Sequence, residues 1–328
     1  LSPSRQNRFR PATLPLALLV LLGLAGLCAP VLANSTPLLV SFHGKLYIPL
    51  LTPLPETFFG PQFLPTTADY QNPRVQAAIR AQGWLIFPPI PYRYDTIVFT
   101  APPAPAPPSA QDWLGTDEVS RDVLARLLWS LRFSLLFGLA LTAGSCALGL
   151  AAGILQGYYG GAADLLFQRF IEIWSGMPRL FLLLILTSLL AHSLTFLLIF
   201  LVAFSWMSLA ATIRAEAYRA RTLDHVRAAR LIGLPDIAIL RRHILPHAAI
   251  AAVTFAPFIL ADSITLLASL DFLNLGLPGS ASLGELAAEA RDNLYAPWLA
   301  ASAFGMISAL LILLVLTGES FRQTARRA

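Results

Sequence analysis

The chain has one lysine, Lys45, and it is followed by Leu46. A phosphate-cradling loop requires Gly-Lys-Ser/Thr, with the lysine reaching the phosphates, so this chain has no such site for ATP. Gly-x-Ser-x-Gly and His-Glu-x-x-His are absent as well, which removes two common hydrolase chemistries. The polar residues that remain are concentrated between 214 and 247. That segment holds seven arginines (214, 219, 221, 227, 230, 241, 242) against Glu216, Asp224 and Asp236. His243 and His247 stand four apart with His225 nearby, a spacing that can ligate zinc. Pro246 interrupts the helix between the two, and no metal is expected. Asp262 lies inside an apolar run beside Ser263 and Thr265. An acid at that depth faces a cavity or a partner: it either lines a path, attracting a substrate amine, or contacts a second membrane subunit.

These residues sit in a chain built for lipid. Hydrophobic residues make up 56% and charged residues 12%, with a mean hydropathy of +0.65; soluble domains carry about 25% charged residues. The apolar runs are continuous, which favours membrane helices over a barrel. Basic residues flank apolar runs, so nucleic acid is not an expected partner. Cys28 and Cys146 fall within apolar runs and read as buried thiols. Trp113, Trp174, Trp206 and Trp298 read as interfacial anchors.

Arg5, Arg8 and Arg10 make 1–11 a cytoplasmic start, and 12–33 is the first span. The alternative is a signal peptide on a surface protein, but 22 residues exceed the apolar core of such peptides, about 7–15 residues. Residues 34–111 form an extracytoplasmic insert. Alternation in 38–42, 45–48 and 96–99 predicts short strands, 74–84 a short helix, and the prolines of 101–108 a stiff tether. Val119, Val123, Leu124, Leu127 and Leu128 share a helical face, and a separate surface helix capped by Thr116 or Asp117 is expected there. Further spans are 133–154, a pair divided near 192–193 with the first reaching back through Met177-Pro178, 248–270 kinked at Pro257, and 298–317. Gly157–Gly161 reads as a turn, and 271–296 as an outer loop. Parity settles the division of the 180–213 run. One span there would put the seven arginines outside, whereas two put them inside with both termini, as positive charge requires.

Within 214–247, 214–221 extends the preceding span. Asp224 is a candidate cap and 225–232 about two helical turns. Gly233 fits a left-handed C-terminal cap, and Pro235 blocks continuation. Ala228 and Ala229 are small enough for another surface to approach. Leu245-Pro246 ends the next helix. A basic loop obeying topology alone would share much of this pattern.

The spacing Ala228-Ala229, Gly233, Leu245-Pro246 resembles the "EAA" loop of bacterial ABC importer permeases. Leu114-Gly-Thr-Asp117, Arg121-Asp-Val-Leu124, Ser269-Leu-Asp-Phe-Leu-Asn-Leu-Gly276 and Ser282-Leu-Gly284 resemble the C-type permease of oligopeptide and dipeptide importers. The insert, with Leu39-Val-Ser-Phe42, Ala68-Asp-Tyr-Gln-Asn-Pro73 and Gly83-Trp84, is similar to the Yej-type branch linked to peptide and microcin C uptake. The resemblance implies an all-α, six-span integral membrane protein of the type I permease fold, in the bacterial inner membrane. Its core is 112–328, and no cofactor is bound. Arg227, Ala228, Ala229, Gly233, Leu245 and Pro246 would couple to a separate ATPase; Asp262, Ser263 and Thr265 would lie on the translocation path. The implied partners are a homologous B-type permease, two ATPase subunits, an extracytoplasmic peptide-binding protein and membrane lipid, with a peptide as substrate. Three positions depart from the pattern: Arg227 replaces the usual glutamate, His243 an isoleucine and Ser120 a glycine. The alternative class, an ion-gradient-driven transporter or channel, needs inverted repeats around a midplane ion site, and the halves show no convincing repeat.

Overall fold

The computed structural model describes residues 13–60, 64–98, 104–189, 193–277 and 279–327. Arg5, Arg8, Arg10, Phe99, positions 101–103 of the tether and His192 lie outside the described residues, as do the side chains of Arg326 and Arg327.

Among the described residues four helical stretches are long and apolar enough to cross a bilayer: α4 (Val123–Tyr159), α7 (Leu194–Ala220), the rod Asp236–Phe272, and Pro297–Thr324 within α12 (Pro297–Arg327). The expected first span is two pieces, α1 (Thr13–Leu27) and α2 (Ala29–Leu32). Pro30 lacks the N–H that would bond to the Gly26 carbonyl, so the helix breaks at Cys28. The expected third span is also divided. α5 (Gly161–Ser175) and α6 (Arg179–Leu189) are separated at Gly176–Pro178, so the span does not run back through Met177-Pro178. Ser193 caps α7, its Oγ accepting from the Phe196 amide at 3.1 Å, which puts a helix boundary where the 180–213 run was divided.

The chain forms two compact units: Leu1–Val20 with Ser134–Pro278 and Ser308–Ala328, and Leu21–Phe133 with Gly279–Ile307.

The second of these contains a small sheet. β1 (Leu39–Phe42) and β2 (Lys45–Tyr47) pair antiparallel, Phe42 opposite Lys45. His43 and Gly44 connect them at φ 51° and 76°, the two left-handed residues of a tight hairpin. β3 (Gly83–Ile86), not anticipated from the sequence, pairs with the other edge of β1. Alternation points Val40 and Phe42 into a core with Phe59, Tyr70, Val75 and Ile79. Val75 and Ile79 belong to α3 (Pro73–Gln82), which Asn72 caps through the Arg74 amide at 3.0 Å. The expected strand over 96–99 is reduced to a single bridge between Ile97 and Arg121.

No separate surface helix follows. Val119 lies before the helix, and Val123, Leu124, Leu127 and Leu128 are the first turns of the unbroken 37-residue α4. After Gly115 neither glycine nor proline occurs until Gly138, so nothing stops the helix. Asp122 is its cap, Oδ1 accepting from the Ala125 amide at 2.6 Å. Asp117 is committed elsewhere. Its Oδ1 accepts from the Val119 and Arg121 amides, and its Oδ2 from Arg121 Nε and Arg126 Nη1, both at 2.7 Å. Glu289 completes the cluster, accepting from Arg121 Nη2 at 2.9 Å and from Arg126. It stands on α11 (Leu283–Asp292), whose Ser282 cap accepts from the Glu285 amide at 3.0 Å. The 271–296 segment is therefore no simple loop: its Ser-x-x-Glu cap starts a helix whose Leu283, Leu286 and Ala287 are buried. Trp298 Nε1 donates to the Thr116 carbonyl at 3.1 Å.

In the first unit α4 and α7 meet along glycines. A Cβ on Gly153 would lie 2.7 Å from the Ala210 carbonyl oxygen, and one on Gly157 2.5 Å from that of Arg214. With Gly149 these form a Gly-x3-Gly-x3-Gly seam, which lets membrane helices approach closely. Gly157 therefore belongs to α4, and the turn is confined to Gly160 and Gly161, both at positive φ. Trp174 and Trp206, expected as interfacial anchors, both donate to the Ala203 carbonyl. Both cysteines are free, and Cys28 is exposed rather than buried.

Candidate functional site

The arginine-rich segment folds as a helix, a tight cap and a widened turn. Past Ala220 the chain turns through Arg221–Leu223 and starts α8 (Asp224–Leu231). Leu223 precedes it without a side-chain cap, and Asp224 is the first helical residue, where its charge favours the helix dipole. Gly233, at φ 86°, ends the helix. The Leu234 amide bonds to the Ala229 carbonyl at 3.2 Å and the Gly233 amide to Arg230 at 3.1 Å, the paired bonds of a Schellman cap. Pro235 then leads into α9 (Asp236–Ile239), and Leu240–Ile244 forms one π turn that runs directly into α10 (Leu245–Phe272). Leu245-Pro246 thus does not end a helix. Pro246 has no N–H and its ring crowds the Arg242 carbonyl, and widening the preceding turn relieves both.

α8 has two faces. Val226 and Ala229 are buried, packed in one core with Tyr158, Ile213, Ala217, Ile239 and Ile244. The small side chain of Ala229 serves this inner contact, while Arg227, Ala228 and Arg230 face outward. Leu231, Ile232 and Ile237 are 88%, 81% and 73% exposed, among exposed Arg227, Arg241 and Arg242. An apolar patch with a charged rim is the composition of a docking surface. Gly233, Leu245 and Pro246 are exposed too, but the last two stand on α10 rather than on α8. His225, His243 and His247 approach ring to ring, with centroids 5.5 and 6.3 Å apart; among the described residues no group of three or more ligating side chains has metal-holding geometry.

Tyr158 ties this surface to the long helices. Its hydroxyl donates to Asp236 Oδ1 at 2.5 Å, Arg221 Nη1 donates to its carbonyl at 3.1 Å, and the Arg230 guanidinium lies 5.2 Å from its ring centre. A hydrogen bond to a charged group contributes about 1.5–3 kcal/mol. Arg214 on α7 clasps Asp164 on α5 through two bonds of 2.6 Å. Val226 and Ala229 of α8 thus share one core with residues of α4, α7 and α10. Sequence reasoning missed Tyr158 and the exposed leucine and isoleucines. Leu231-Ile232 beside a capping glycine was the legible signal; Tyr158 had none.

A second feature is a groove of about 680 Å³ lined from α6, α7 and α10, with Ser175 at the end of α5. Asp262 and Thr265 open into it, and Ser263, 3% exposed, forms part of its wall. The three path residues are thus brought together, and Arg179 joins them. Sequence reasoning passed over Arg179 because it opens an apolar run distant from Asp262 in sequence.

Comparison with known proteins gives a consistent result. The binding-protein-dependent transport system inner membrane component family matches residues 149–324. The chain is 50% identical over 306 residues to an inner membrane ABC transporter permease, YejE of Escherichia coli K12, covering 93% of this chain and 89% of that protein. It is 44% identical over 331 residues to a peptidoglycan transport system permease, YejE of Agrobacterium fabrum, covering 93% and 86%. To an oligopeptide transport system permease, OppC of Mycobacterium tuberculosis, it is 29% identical over 239 residues, covering 72% and 81%.

Proposed function

The chain belongs to the binding-protein-dependent transport inner-membrane component family and is an ABC importer permease subunit, not itself an enzyme; on that premise we propose that it moves oligopeptides or peptide-like compounds inward, driven through α8. The substrate class is supported by relatives described as transporting oligopeptides and peptidoglycan. The chain is a multi-pass inner-membrane protein; six spans, both termini in the cytoplasm and the 34–111 insert outside follow from the positive-inside pattern. A homologous B-type permease would pair with it, two ATPase subunits would bind from the cytoplasm, and a peptide-binding protein would deliver from outside.

The observation that carries this reading is the amphipathic α8, with its buried face locked to the spans through Tyr158 and its outer face bare. Arg227, Ala228, Leu231 and Ile232 would seat in an ATPase groove, with Gly233, Leu245 and Pro246 shaping the segment behind them. ATP-driven closure of the ATPase pair does work on the permease only if the closed pair binds one permease state more tightly than the other. Arg227, where the loop pattern that the chain resembles has glutamate, calls for an acidic or polar groove. Asp262, Ser263 and Thr265 would line the path between two permeases.

The test is a cysteine at Ala228, which is exposed, in the complex with its ATPase. Crosslinking that changes with nucleotide is expected, and its absence in every nucleotide state would sink the coupling role.

A further inference from the structure

We propose that the groove between α6, α7 and α10 is a two-ended charge subsite for zwitterionic peptides, in which Arg179 receives the free carboxylate and Asp262 the free ammonium. This rests on the peptide-permease reading above and adds what that reading does not supply: a reason for the groove to distinguish one peptide from another.

Three observations carry it. First, Arg179 and Asp262 open into the same groove, the arginine from the start of α6 and the acid from mid-α10. Among the described residues no ion pair closes between them, whereas Arg214 and Asp164 in the same unit close at 2.6 Å. Two opposite charges held apart along one groove present a fixed dipole to anything entering it. Second, three of the hydroxyls around them have used their donors. Ser205 Oγ donates to the Leu201 carbonyl at 2.8 Å, Thr265 Oγ1 to Ala261 at 2.8 Å and Ser269 Oγ to Thr265 at 2.7 Å. What each turns outward is acceptor lone pairs, and the complementary ligand brings N–H donors, as a peptide backbone does. Third, the volume of about 680 Å³ falls within the range of about 300–1,000 Å³ typical of small-molecule sites.

A peptide with both ends free answers both charges. Blocking one end leaves Arg179 or Asp262 facing an uncharged group at the depth of the membrane, where an unmatched charge is costly. A short peptide with two free ends should therefore pass in preference to its blocked analogues by about tenfold.

The complete importer in vesicles, with its binding protein, is given Ala-Ala-Ala, its N-acetyl form and its C-terminal amide, and ATP-dependent uptake of each is measured. Asp262→Asn is expected to bring N-acetyl and free peptide to similar rates while the amide stays disfavoured. Arg179→Gln is expected to do the converse, and Asp262→Glu and Arg179→Lys should retain the wild-type order. The binding protein also selects, so each ratio is read for the variant relative to wild type with the same binding protein. Variants that slow all three substrates by one factor, or leave every ratio unchanged, overturn the subsite and leave the peptide reading standing. A wild-type importer that takes up no peptide with ATP overturns both.

Discussion

Ser120 shows how a single residue can be legible in sequence and explained only in space. It occupies φ 61°, in the turn where the Ser120 amide bonds to the Asp117 carbonyl and its own carbonyl receives the Val98 amide. The permease pattern that the chain resembles has glycine there, and glycine meets no Cβ penalty at that dihedral. Ser120→Gly should raise unfolding free energy by about 1 kcal/mol, read as a higher melting temperature in detergent; an unchanged or lower value would remove strain as the account of this position. Asp122 gives a pH signature. Burial pushes its carboxyl up to about 6, with repulsion from Asp112 and Asp117 adding to that and the Ala125 and Leu124 amides opposing it. A carboxyl raised on folding contributes stability below its ordinary pKa and loses it as pH rises through the folded value. Wild-type stability should thus fall between about pH 4 and 7, by on the order of 3 kcal/mol for this group. Asp122→Asn keeps a capping acceptor without the charge, and its profile should be flatter over that window. Parallel profiles would contradict the assignment. Nothing in the one-dimensional pattern marked Asp122, rather than Thr116 or Asp117, as the cap, because all three are capping types and buried, and only their hydrogen-bond partners in the folded chain separate them.

Among the elements, the decisive contacts lie between helices far apart in sequence. The Gly149, Gly153, Gly157 seam brings α4 onto α7. Gly153→Ala followed by Gly153→Ile is a graded test. The first must displace the Ala210 carbonyl slightly, and the second should cost more than about 2 kcal/mol through overpacking, read as loss of monodisperse protein in detergent. Equal tolerance of both would mean that the helices do not approach here. The period-four glycines were visible in the sequence, yet the partner helix was not, since a small-residue stripe fits any close neighbour. The ends of α8 were read almost to the residue, because a left-handed glycine and a following proline act locally. The Leu245-Pro246 step was misplaced because a π turn is a compromise between a proline and the tertiary path of its helix. The amphipathic stretch before α4 was assigned a separate helix on its apolar face alone. Without a breaker between Gly115 and Gly138 the backbone simply continues.

On the scale of the whole molecule, topology can be tested with the single lysine. Lys45 is exposed at the start of β2, beside the His43-Gly44 turn. A membrane-impermeant amine reagent should modify the Lys45 peptide in right-side-out vesicles and not in inverted ones, read by mass spectrometry; the reverse pattern would invert the proposed orientation. What was already written in the amino-acid order is the solvent the chain folds in, the short helix between Asp224 and Gly233, and the absence of a phosphate-binding lysine site. Hydropathy, charge and local backbone preference act over a few residues and need no partner. What needed the folded chain is which face of α8 is buried, the Tyr158–Asp236 tie between α4 and α9, and the meeting of Arg179 with Asp262 in one groove. These depend on side chains brought together from distant positions by helix packing, and no local pattern encodes the distance between them.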